Sequence, residues 1–323
     1  MKNSKNRVVI ILPYFGHLPN YFNLWLYSAY KNEKFDFIVF TDQSIEDNYI
    51  NVKIINISFE KFKMYFQNIF DFQIALDSPY KLCDYKPAYG MALEKYIKDY
   101  EFWGYCDADI ILGNLSEFIT DSILDNNNRL YTRGHLTMFR NNKRNNELFM
   151  VEHKYDDCFN YRYVYNTNFG CAYDEWGTKY GKGLSEILNR NKYISYDSLD
   201  FADVEPVTFE FTLRRNGIQE IKFFEYNDGK IVGYDVDDNI IEFAYVHLQK
   251  RAMEVKCKNI KHYYIIPNYF SDTCDYENET FYARRKKFYQ NYRLKSVKRK
   301  MQKIREGALI HLFDRYLSRI NRR

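Results

Sequence analysis

Cysteine is scarce, with six residues in 323 (Cys83, Cys106, Cys158, Cys171, Cys257, Cys274), and no two stand in Cys-x-x-Cys spacing. That argues against a zinc ribbon and against a dense disulfide framework. No Gly-x-x-x-x-Gly-Lys-Ser/Thr and no Gly-x-Gly-x-x-Gly occurs, so the usual glycine-rich phosphate loop is missing. Long apolar runs are missing too. Val8 to Leu12 is too short for a signal-peptide core or a membrane span, and a reducing cytoplasm is the expected compartment. There is no internal repeat, no long low-complexity linker and no nucleic-acid-binding module.

What is present is an ordinary globular balance, 46% hydrophobic and 28% charged. Aromatics are abundant at 19%, with 32 Tyr. Phe, Asn, Lys and Ile are abundant with them, which fits the codon usage of an AT-rich genome better than a carbohydrate-stacking surface. The net charge of +4 is unevenly spread: Phe281 to Arg323 holds 15 Lys/Arg against 2 Asp/Glu, which leaves 32 against 41 in the remainder. A mildly acidic body therefore carries a basic tail.

Strand and helix patterns alternate through the first hundred residues. Val8 to Phe15, Phe35 to Thr41 and Val52 to Ile57 read as strands. Helices are predicted from Pro19 to Tyr30, after Ser58 as cap, and from Pro87 to Tyr100. This order predicts an α/β fold with a doubly wound sheet. Further on, Ser116 to Leu124 reads as helix, and Leu136 to Arg140 and Asn166 to Tyr173 as strands. Gln219 to Phe224, Lys230 to Tyr234 and Ile240 to Leu248 read as β-structure, with turns at Asp228-Gly229 and Asp237-Asp238-Asn239. One domain over residues 1–275 and a basic helical tail over 276–323 are expected.

The most informative residues are Asp107 and Asp109, in Phe102-Trp103-Gly104-Tyr105-Cys106-Asp107-Ala108-Asp109-Ile110-Ile111-Leu112. A buried strand would release the two acids where it leaves the sheet, the place where open α/β sheets bind ligands. Neighbouring carboxylates repel, which suggests a cation beside them. Asp-x-Asp suits a divalent metal and a nucleotide diphosphate; its bland alternative is a solvated acidic turn. A hard cation accepts a third ligand from His247, at the end of an apolar run and next to Lys250 and Arg251, which would face the same diphosphate. A catalytic base is sought in Asp174 and Glu175, with Asp203 and Glu205 as weaker candidates. Trp176 would stack on a sugar, and Gly177 would allow a tight turn. Alternatively, Asp174 and Glu175 cap a helix over 178–190. His135 either binds donor or acceptor hydroxyls or is structural.

Together these segments resemble bacterial glycosyltransferases of the GT-A type, and among them a group from capsule and O-antigen synthesis. The resemblance rests on Pro13-Tyr14-Phe15-Gly16, Phe40-Thr41-Asp42, residues 80–90, residues 102–113, Gly134 to Arg140 and His247 to Arg251, and covers roughly residues 7–255. It implies a Rossmann-like doubly wound mixed sheet. Pro13, Tyr14 and Phe15 would hold base and ribose, and Asp42 the base. Asp84 and Lys86 would lie near ribose or phosphate, Asp107 at ribose or metal, and Asp109 at the metal as its firmest ligand. His247 would complete the metal site for Mn²⁺ or Mg²⁺, and Lys250 would meet the diphosphate. A UDP-sugar donor and a saccharide acceptor, lipid-linked in surface polysaccharide synthesis, are implied.

In the tail, Leu309, Leu312, Phe313, Tyr316, Leu317 and Ile320 fall on one helical face, with Arg315, Arg319, Arg322 and Arg323 around it. Such a helix suits an anionic membrane surface, which would place the protein at the inner face of the cell membrane. A self-association helix, a helix packed on the body and, last, a nucleic-acid contact are the alternatives. Two other functional classes use similar features: a metal-dependent nucleotidyl- or phosphotransferase, and a non-catalytic saccharide-binding domain docked to membrane.

Overall fold

The computed structural model describes residues 6–215 and 217–305. In its first half the strands are β1 (Val8–Tyr14), β2 (Phe35–Thr41), β3 (Val52–Asn56), β4 (Phe102–Cys106), β5 (Ile110–Leu112), β6 (Arg129–Arg133) and β7 (Leu136–Arg140). Six of them form one mixed sheet in the order β3-β2-β1-β4-β7-β6. The β3-β2-β1-β4 part is parallel, whereas β7 runs antiparallel to both β4 and β6.

Side-chain alternation along β1 gives the sheet two buried faces. Val9 and Ile11 join Ile38, Phe40, Trp103 and Tyr105 on one side, under the helix α2 (Phe59–Gln67). Val8, Ile10 and Leu12 join Phe37 and Val39 on the other, under α1 (Phe22–Tyr30). Strands buried on both faces read as continuous apolar runs, which is why β1 and β2 were legible. α1 is itself covered twice. Phe22 and Trp25 face the mixed sheet, while Leu24 and Tyr27 pack against a mainly antiparallel sheet drawn from residues 211–271. The Asp228-Gly229 turn of that second sheet has φ of 46° and 103°, the left-handed geometry that a tight hairpin requires.

Several expected elements differ. The helix expected from Pro87 is a chain of short turns over residues 79–97, in which Leu93 leaves helical geometry at φ −112°, ψ 21°. Proline has no N–H to donate, and Gly90 packs so closely that a Cβ would lie 2.7 Å from Trp103. Asn166–Tyr173 forms no strand, and segment 178–190 begins as a Gly177–Lys182 hairpin, with helix only over Leu184–Arg190. The run from Ile240 to Leu248 divides between sheets. Ile240–Phe243 joins the antiparallel sheet, and Tyr245–His247 lies between β5 and the short strand Ala202–Asp203.

The last helix, Glu279–Arg305, begins on the body. Phe281 is buried with Phe209, Ile266 and Tyr269, while Arg285 and the Tyr289 hydroxyl both bond the Glu210 carboxylate. The apolar face expected over 308–320 lies outside the described residues. No described helix is long and apolar enough to cross a membrane.

Candidate functional site

The chain leaves the central sheet at Cys106, and the Asp107 N–H donates to the His135 carbonyl at 3.0 Å. It re-enters β-structure at Ile110. Register then determines what meets the intervening acids. β5 pairs Ile110 with His247, and on the other side of that strand His247 pairs with Asp203. Directly paired residues project side by side. His247 Nδ1 therefore sits 2.8 Å from Asp203 Oδ1, and its Nε2 points to Asp109 Oδ1 at 3.5 Å. One ligand atom from each of Asp107, Asp109 and His247 lies within 4.8 Å of the others.

These three residues could hold a metal ion, and a further carboxylate supports the imidazole. A carboxylate on one imidazole nitrogen fixes the tautomer and aims the other, as Asp203 does here. Burial disfavours a charged His247, but the bonds to Asp109 and Asp203 outweigh it and push the ring up to about 9. Burial likewise opposes ionisation of Asp109, yet His247 and the Lys250 N–H hold its carboxyl below the ordinary range. Two half-buried carboxylates and one buried imidazole fit a hard divalent cation. A second grouping, His135, Asp203 and His247, is equally close and fully buried. There the Asp203–His247 bond already occupies Nδ1, and His135 Nδ1 is bonded to the Tyr245 hydroxyl at 2.9 Å. His135 is held neutral first by burial, then by the charges of His247 and Lys86.

After His247 the backbone turns sharply. Gln249 and Lys250 have φ of 55° and 58°, a left-handed pair of non-glycine residues that costs about 1–2 kcal/mol each. The turn brings the Lys250 N–H within 2.8 Å of Asp109 Oδ2 and its ammonium to the Tyr80 hydroxyl at 3.1 Å.

Lys86 links the two halves of the site. Its ammonium donates to Asp107 Oδ1 at 2.7 Å, the Gly134 carbonyl at 2.7 Å and Asp174 Oδ2 at 3.0 Å. Burial opposes that charge, but Asp107 and Asp174 raise its pKa well above the usual lysine value. Gly134 has to be glycine, since a Cβ there would lie 2.2 Å from Asp174 Oδ2. Asp84 is buried and does a different task. It pairs with Lys81 at 2.7 Å and accepts the N–H groups of Cys171 and Tyr173, while Lys81 also bonds the Phe169 carbonyl. These pins replace the strand expected at 166–173 and present Asp174 and Glu175 to the site. Burial, then the Asp174 charge, push Glu175 up to about 7, and Asp174 is itself raised by burial, with Lys86 pulling back. The Glu175 carboxyl makes no hydrogen bond or ion pair among the described residues.

Two cavities meet at the acid pair. A polar one of about 530 Å³ is lined by His135, Asp174, Glu175 and Asp203 among others, and a more apolar one of about 500 Å³ by Pro13, Tyr14, Phe15 and Tyr89. Lys86, Asp107, Asp109 and Lys250 line both. Thus most predicted site residues converge. Four do not line either cavity, among them the weaker base candidate Glu205, whose carbonyl accepts from Arg251. Asp42 accepts the Gly16 N–H at 3.0 Å and shapes the loop after β1. Trp176 is 36% exposed beside the cleft, although Gly177 does make its tight turn at φ 91°. Arg251 is buried and turned away: its guanidinium bonds the carbonyls of Glu205, Thr208, Phe209 and Glu210 and the Asn268 side chain. Burial lowers its pKa to about 10. Arg251→Ala should strand those acceptors and destabilise the fold by ~3 kcal/mol, read from urea unfolding. The positioning role of Asp203 and the presence of Arg133, Tyr80 and Gln249 in the cleft were not foreseen. Strand pairing places Asp203 and Arg133, the helical turn Pro79–Lys81 places Tyr80, and the turn after His247 places Gln249.

Residues 10–274 match a protein family described as a family of unknown function, DUF6625. The chain belongs to that family. No curated protein matches the sequence. Solved structures with partial likeness include the galactosyltransferase LgtC in complex with donor and acceptor sugar analogs. It is 11% identical, with a TM-score of 0.34, over 60% of this chain and 75% of that one. The apo-form glycosyltransferase GlyE of Streptococcus pneumoniae TIGR4 is 13% identical, with a TM-score of 0.28, over 60% of this chain and 46% of its own. Likeness at this level carries no functional argument. The DUF6625 match contains every site residue named above and ends before the basic helix.

Proposed function

We propose that this protein is a metal-dependent glycosyltransferase of the GT-A type, moving a sugar from a nucleotide diphosphate to a saccharide acceptor. The observation that carries the reading is the placement of Asp107, Asp109 and His247 between an aromatic-lined cavity and a polar one. The aromatic cavity, with Pro13, Tyr14 and Phe15, suits a nucleobase and ribose. The polar cavity, with Asp174 and Glu175, suits sugar hydroxyls. A diphosphate spanning the two would lie against Lys250, which lines both.

Asp107, Asp109 and His247 would hold the cation, Mn²⁺ ahead of Mg²⁺ because one ligand is imidazole. Bound there, it would supply charge stabilisation for the departing diphosphate. Lys86 orients Asp107 and Asp174 at once, its ammonium donating to one carboxylate oxygen of each. Glu175 is the group that takes the proton from the acceptor hydroxyl: its carboxyl has no partner among the described residues, it lines the polar cavity, and burial pushes it up to about 7, where a general base works best. UDP is the preferred nucleotide to test first. Calorimetry should show UDP binding in Mn²⁺ that disappears in EDTA, and a nucleotide-sugar panel should release nucleotide from one donor. Absence of both UDP and GDP binding in Mn²⁺ would sink the reading.

A further inference from the structure

Arg133 ends β6 and lines the polar cavity beside Gly134 and His135. It is half-buried, its Nε is shut off from solvent without a hydrogen-bond partner, and its guanidinium makes no ion pair or ring contact among the described residues. The other cations of the cavity are engaged. Lys81 bonds Asp84, Lys86 bonds Asp107 and Asp174, and Lys250 bonds the Tyr80 hydroxyl. Arg129 and Arg251 also have a bare Nε, but their terminal nitrogens are satisfied by Ser185 and by a ring of carbonyls.

A guanidinium taken partly out of water without a counter-charge is unfavourable, so a ligand that supplies the charge gains from it. No described residue pairs with it, although Asp174 and Glu175 line the same cavity. Position restricts what the ligand offers. Arg133 lines only the polar cavity, whereas Lys250 lines the junction with the nucleotide-sized one. It therefore faces the saccharide and not the diphosphate. The planar fork of arginine matches a carboxylate through two parallel hydrogen bonds.

We propose that Arg133 reads a carboxylate on a saccharide bound in the polar cavity, so that either the donor sugar or the acceptor sugar is a uronate. This rests on the glycosyltransferase reading above. The test uses pairs that differ only in a C6 carboxylate against a C6 hydroxymethyl. In the donor arm, UDP-glucuronate and UDP-glucose are titrated into the full-length protein with Mn²⁺. In the acceptor arm, methyl glucuronide and methyl glucoside are compared by saturation-transfer NMR with UDP and Mn²⁺ present. At least about tenfold preference for the acidic member is expected in one arm, abolished in Arg133→Gln while UDP affinity stays unchanged. UDP binding with no acidic preference in either arm, or a preference that survives Arg133→Gln, overturns the proposal. Failure of UDP itself to bind overturns the transferase reading first, and this proposal with it.

Discussion

Asp109→Ala should abolish Mn²⁺-dependent UDP binding and lower sugar transfer by about 10³-fold, the order lost when a preorganised charge-stabilising element is removed. Two functions converge on that carboxylate. Oδ1 faces His247 Nε2 at 3.5 Å, so both atoms would serve as ligands of a bound cation, and Oδ2 accepts the Lys250 N–H at 2.8 Å. Alanine therefore removes a proposed metal ligand and also the acceptor of the Lys250 N–H in a turn with two left-handed residues. Asp109→Asn separates the effects, because an amide oxygen still accepts from the Lys250 N–H but is a poorer ligand for a hard cation. Calorimetry of Mn²⁺ and UDP with both variants, with thermal unfolding as the folding control, gives the comparison. Wild-type turnover in the alanine variant would remove Asp109 from the mechanism.

Glu175→Gln should lower turnover by about 10²–10⁴-fold with UDP affinity unchanged, the range that a positioned general base contributes. The pH dependence has a definite sign. A base acts in its ionised form, and burial beside Asp174 pushes Glu175 up to about 7. Turnover should therefore climb through neutrality and level off above it, with the acid limb missing in the Gln variant. Because Asp174 and Glu175 interact, the limb reports the pair, and it is the loss of the limb on substitution that identifies Glu175. A limb that survives in Glu175→Gln would assign the proton transfer elsewhere, and an unchanged rate would favour a reaction without a protein base.

Legibility in the sequence followed the range of the interactions. β1 and β2 were read nearly to the residue because strands buried on both faces are continuous apolar runs. Asp107 and Asp109 stood out because two acids interrupt such a run. His247 was found by its position at a strand end beside Lys250. Arg251, one residue further, was expected at the diphosphate and lies instead among backbone carbonyls, because the chain turns between them. Asp203 was a minor candidate. Its role as the brace for His247 depends on a two-residue parallel pairing that no local pattern announces. The failed strand at 166–173 has a similar cause: its N–H groups go to the Asp84 carboxylate, a partner some ninety positions away in sequence.

That substitution of a carboxylate for a strand ladder has a consequence for how such a protein diversifies. The wall carrying Asp174 and Glu175 hangs from Asp84 and Lys81 and has no register to keep with the central sheet. Lys86 and the Tyr105 hydroxyl hold the segment again at Asp174, so only exchanges confined to the Gly177–Lys182 hairpin would leave β1, β4 and the acid corner in place. That hairpin places Thr178 on the cavity wall, so descendants of one ancestor could reshape the rim of the cleft by editing a single surface turn.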